Sequence, residues 1–81
     1  MVEVSYHDDF QKAWRKLDSS LQIKVKKQIA KILENPEIGK PMRFERKGTR
    51  EAYIPPFRLS YEYIKEKNKV IILDLYHKDE Q

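Results

Sequence analysis

Eighty-one residues with no cysteine and a formal charge of +4 make one small domain spanning residues 1–81, with no disulfide framework and no thiolate metal site. The N-terminus carries no apolar signal region and no run is apolar enough to span a bilayer, which predicts a soluble cytoplasmic protein. The charge is concentrated: residues 40–58 hold six basic residues against two acidic ones, and the rest of the chain is balanced. Phosphate is the commonest partner of such a cluster, and a solvated basic surface without a partner is the competing reading.

In chain order, Val2-Glu3-Val4-Ser5-Tyr6 alternates and is rich in β-branched residues, which predicts a short first strand. Asp8 or Asp9 is placed to cap a helix whose apolar residues are Phe10, Ala13, Trp14 and Leu17. Asp18, Ser19 and Ser20 then break the pattern and offer caps for a second helix, Ser20 to Glu34, with the stripe Leu21, Val25, Ile29, Ile32 and Leu33. Two helices joined by so tight a break predict an antiparallel hairpin. The lysines Lys24, Lys26, Lys27 and Lys31 read as its solvated face. Asn35-Pro36 ends the second helix.

Residues 42–46 alternate weakly, as a short strand or an extended loop, and Lys47-Gly48-Thr49 reads as a turn. Arg50 to Ile54 and Phe57 to about Lys65 are strands around Pro55-Pro56, which cannot donate to a ladder and so mark a turn or bulge. Glu66-Lys67-Asn68 is a turn into the last and most apolar strand, Val70 to Tyr76. The order is β-α-α-β-β-β. It predicts an α+β fold with the helical hairpin packed on one face of a small, largely antiparallel sheet.

Alternation in the strand around Arg58 puts Phe57, Leu59, Tyr61 and Tyr63 on the helix side, leaving Arg58, Ser60 and Glu62 on the open side. Ile71, Leu73 and Leu75 are expected beneath the helices too, with Asp74 and Tyr76 outside. Arg50 lies one hairpin away, and His77 and Lys78 close the last strand. Arg50, Arg58, His77 and Lys78 are therefore expected to converge on the uncovered face, beside Arg43, Arg46, Lys47 and Tyr76. Such a patch suits a phosphodiester: arginine grips phosphate oxygens in pairs, histidine moves protons near neutral pH, and an RNA 2′-hydroxyl can itself be the nucleophile. The bland readings are an Arg58–Glu62 ion pair of little consequence and a surface histidine.

The stretches Arg50-Glu51-Ala52-Tyr53-Ile54, Phe57-Arg58-Leu59-Ser60-Tyr61-Glu62-Tyr63 and Ile71-Ile72-Leu73-Asp74-Leu75-Tyr76-His77-Lys78, in this order, resemble the RelE/ParE superfamily of toxins from type II toxin–antitoxin systems. The resemblance spans nearly the whole chain. It implies a metal-independent, ribosome-dependent messenger RNA endoribonuclease without cofactor. On that picture Arg58 and Arg50 hold the scissile phosphate, and His77 and Lys78 fall where relatives resembling YoeB and RelE carry catalytic histidine or basic residues. It also implies an acidic, partly disordered antitoxin partner. The chain departs from RelE in having Glu51 and Ala52 where RelE has lysines, and in ending at Gln81, before RelE's tyrosine-bearing C-terminal helix; Tyr76 is the candidate substitute. The alternatives are a ParE-like inhibitor of DNA gyrase and a non-catalytic basic binding domain.

Overall fold

The computed structural model of the chain describes residues 2–43 and 47–80. Strand β1 (Glu3–Tyr6) leads into helices α1 (Asp8–Arg15) and α2 (Ser19–Glu34). The two-residue strand β2 (Lys40–Pro41) follows, then β3 (Thr49–Ile54), β4 (Phe57–Ile64) and β5 (Lys69–His77). One sheet in the order β1-β5-β4-β3-β2 results, antiparallel except where β1 runs parallel to β5 at the edge. This is the α+β arrangement expected. The fourth segment differs, because β2 forms two residues ahead of the expected strand at 42–46, of which 44–46 lie outside the described residues. Pro41 tolerates this place because β2 is an edge strand.

Local signals account for the helix ends. His7, rather than Asp8 or Asp9, caps α1, its Nδ1 accepting from the Asp9 N–H at 3.1 Å. The two aspartates instead occupy the first turn, where their charge faces the positive end of the helix dipole. Asp18 caps α2 as expected, with Oδ1 accepting from the Leu21 N–H at 2.8 Å.

The core is Phe10 from α1 and Val25, Ile29 and Ile32 from α2, packed on Ala52, Ile54, Leu59, Tyr61, Val70, Ile72 and Leu75 of the sheet. On β5 the buried set is Val70, Ile72 and Leu75, not the expected Ile71, Leu73 and Leu75. A bulge is the reason. Ser60 pairs with Asp74 and Tyr61 with Ile72, so Leu73 has no partner opposite and the alternation slips by one. The Asp74 carboxylate accepts from the Leu75 N–H at 2.8 Å and holds the kink.

Leu59 sits at the centre of the sheet, fully buried, between Ala52 and Leu75. Leu59→Ala is expected to cost about 2–5 kcal/mol, since the strands on both sides limit collapse of the cavity. At about 4–8 °C per kcal/mol for a domain of this size, thermal unfolding should shift down by roughly 10 °C or more. A shift of only a degree or two would place Leu59 outside the core.

Candidate nucleic-acid interface

Residues that face each other across a ladder share one side of the sheet. On β4, Leu59 and Tyr61 are buried under the helices, so Arg58, Ser60 and Glu62 point to the uncovered side. Their partners follow them there: Tyr53, Glu51 and Thr49 on β3, and Tyr76, Asp74 and Ile71 on β5. A cleft of about 410 Å³ opens among Lys40, Glu51, Ala52, Tyr53, Arg58 and Lys78.

Arg58 is the central group of this cleft. Its Nη1 lies 3.3 Å from Glu51 Oε1, with the Glu51 side chain only 6% exposed and the arginine 38%. Its Nε–H is enclosed and has no hydrogen-bond partner among the described residues. The part of this always-charged group that an anionic oxygen can reach is its exposed edge, about a third of the side chain. Lys40 enters because β2 pairs with β3 at Lys40 opposite Glu51. Lys78 enters at the end of β5, where its N–H donates to the Pro56 carbonyl at 3.1 Å and ties the strand end to the β3–β4 turn.

The expected convergence of four basic residues is corrected by this geometry: Arg58 and Lys78 share the cleft, while Arg50 and His77 lie on the helix-covered side. The turn Pro55-Pro56 spans only two residues, pairing Ile54 with Phe57 and Tyr53 with Arg58. That register sets Arg50 opposite the buried Tyr61, on the far face. There the Arg50 Nη1 donates to the carbonyls of Glu37 at 3.0 Å and Gly39 at 2.9 Å. His77 remains part of β5 and keeps the phase of Leu75, opposite Phe57, whose ring it meets edge-on at 5.7 Å. Its Nδ1 accepts from the Asp79 N–H at 3.3 Å, and it borders a second cleft with Lys12 of α1 and Lys16 just after it.

Of the expected RNA-binding residues, Tyr76 stands opposite Arg58 on the uncovered side. Arg43 and Lys47 are exposed outside the cleft lining, and Arg46 lies outside the described residues. Sequence reasoning missed Lys40, Tyr53 and the site role of Glu51. The two-residue turn was the available signal for Tyr53 and Glu51, because it fixes which residues face Arg58 and Ser60. Among the described residues no group of three or more His, Asp or Glu side chains could hold a metal ion, and no helix is long and apolar enough to cross a membrane.

A family model described as the ParE toxin of the type II toxin–antitoxin system parDE matches residues 4–81. The chain belongs to this family. Its fold is shared with solved toxins. A chain of the RelBE2 toxin–antitoxin complex from Mycobacterium tuberculosis superposes with a TM-score of 0.85 at 26% identity, covering 95% of this chain and 98% of that one. A chain of the intact E. coli RelBE complex gives 0.82 at 24% identity, with 95% and 96% covered. The YoeB/ParE toxin from Agrobacterium tumefaciens gives 0.81 at 12% identity, with 94% and 98% covered. No curated protein matches the chain in sequence. The resemblance to the RelE/ParE superfamily and its fold is thereby borne out. In this ParE-family toxin, the open sheet face carrying Arg58 is the surface on which cationic groups and a buried carboxylate meet.

Proposed function

We propose that this toxin cuts messenger RNA on the ribosome, without metal, by attack of the RNA's own 2′-oxygen on the adjacent phosphorus. The observation that carries this reading is the composition of the cleft: Arg58, Lys40 and Lys78 beside the carboxylate of Glu51. Arg58 and Lys40 hold the non-bridging oxygens and take up the charge that grows on them in the transition state. Glu51 accepts the proton of the 2′-hydroxyl. The new O–P bond closes a 2′,3′-cyclic phosphate as the bond to the 5′-oxygen breaks, and Lys78 gives that oxygen its proton. Tyr53 and Tyr76, flanking Arg58 across the ladders, offer rings on which bases stack. His77, on the other face, takes no part in this scheme.

The partner in this reading is an acidic antitoxin, as the solved complexes with RelE-type toxins suggest, and its carboxylates would compete with phosphate for the same cations. A second reading, inhibition of DNA gyrase, is favoured by the ParE family match and by the Glu51 carboxylate that already compensates Arg58. The two separate cleanly in one experiment. Purified toxin is added to ribosomes translating a defined message and, in parallel, to gyrase with supercoiled DNA. Primer extension showing new 5′ ends within the translated region, with supercoiling unaffected, supports the nuclease. Uncut message with gyrase-linked DNA breaks overturns it.

A further inference from the structure

Tyr61 is fully buried, yet its hydroxyl serves the loop after α2 rather than the core. It accepts from the Gly39 N–H at 2.8 Å and donates to the Pro36 carbonyl at 2.8 Å. Burial pushes the phenol above its ordinary pKa, against smaller opposing effects of the Gly39 N–H and Arg50, so the proton needed by Pro36 stays in place. Arg50 reaches the same loop through the carbonyls of Glu37 and Gly39. Gly39 is required by this closeness: a Cβ there would stand 2.5 Å from the Tyr61 hydroxyl oxygen. Four hydrogen bonds thus pin residues 36–39 to the helix side of the sheet.

The next residue is Lys40. It starts β2, passes to the other side opposite Glu51, and lines the cleft around Arg58. The loop therefore connects a buried latch on one face to a cation on the other. We infer that Tyr61 and Arg50 are positioning residues for Lys40, fixing how far its ammonium reaches into the phosphodiester site. The inference rests on the RNA reading given above, and it assigns a function to two residues that touch no substrate. A lysine on an unpinned two-residue edge strand would spread its charge over many positions, and its phosphate contact would weaken accordingly.

The test is the binding of a short fluorescein-labelled single-stranded RNA by the full chain, with affinity followed against salt concentration. Each lost phosphate contact lowers the slope of log affinity against log salt by about 0.7 for a single strand. Lys40→Ala is expected to lose about one contact. Tyr61→Phe, which keeps the ring and the charge, is expected to lose the same, and the double variant no more than either alone. Arg50→Lys, which keeps the charge but cannot present two donors to the Glu37 and Gly39 carbonyls at once, should behave as Tyr61→Phe does and covers the case in which that variant folds poorly. A wild-type slope in the folded Tyr61→Phe and Arg50→Lys variants overturns the inference, as does a Lys40→Ala/Tyr61→Phe double variant that loses two contacts. Arg58→Ala is run alongside: if it leaves RNA binding unchanged, the RNA reading of the cleft itself fails and the inference falls with it.

Discussion

Arg58→Ala is expected to lower cleavage of ribosome-bound message by about 10²–10³-fold, the range found when one preorganised donor to a developing anion is removed. The magnitude follows from where Arg58 sits. It is on a central strand, and its guanidinium is braced by the buried Glu51 at 3.3 Å. A donor held so firmly loses little freedom when phosphate arrives. Arg58→Lys should recover only part of the loss, because an ammonium keeps the charge but cannot present the planar fork. Primer extension gives the cleavage rate, and circular dichroism checks that the variants remain folded. A variant that cuts at the wild-type rate would remove Arg58 from the site.

Glu51→Gln is expected to cost about 10²–10⁴-fold in cleavage, the usual contribution of a general base. The change keeps shape and one acceptor oxygen for the Arg58 guanidinium, so the fold and the Arg58 side chain should stay in place. It also removes a negative charge from the cleft proposed to bind RNA phosphate, so RNA affinity should hold or rise while cleavage falls. That opposition of binding and turnover distinguishes a base from a brace. If Glu51 only steadied Arg58, the substitution would weaken binding and cleavage together.

Much of the architecture is legible in the sequence. The periods of the apolar residues locate both helices and the three long strands, and alternation alone places Arg58 on the open side of β4. What escapes is register. The residue facing Arg58 depends on how many residues the turn consumes, and Pro55-Pro56 consumes two. Tyr53 and Glu51 therefore join Arg58, while Arg50 goes beneath the helices to the loop at residues 36–39. The bulge beside Ser60 and Tyr61 is equally silent, since one unpaired residue changes the phase without changing the composition. The strand expected over Val70 to Tyr76 runs one residue further, to His77. That histidine is the last residue of β5 and obeys the strand's alternation. Lys40 escapes for another reason, because its strand has two residues and no periodicity to read.

The charge cluster at residues 40–58 also divides on folding. Two of its cations, Lys40 and Arg58, line the open cleft, and Arg50 is spent on backbone carbonyls on the other side. A count of charges in sequence thus overstates the field at the site, and the buried Glu51 reduces it further. The cleft owes its character to a few fixed groups more than to net charge.

The central claim is that the uncovered face, and not the helix-covered one, does the chemistry. Primer extension on a translated message, with Arg58→Ala and His77→Ala toxins compared against the parent at equal concentration, tests it most directly. The account predicts that the His77→Ala toxin cuts as the parent does while the Arg58→Ala lane is nearly blank. A blank His77→Ala lane beside undiminished cutting by Arg58→Ala would contradict it.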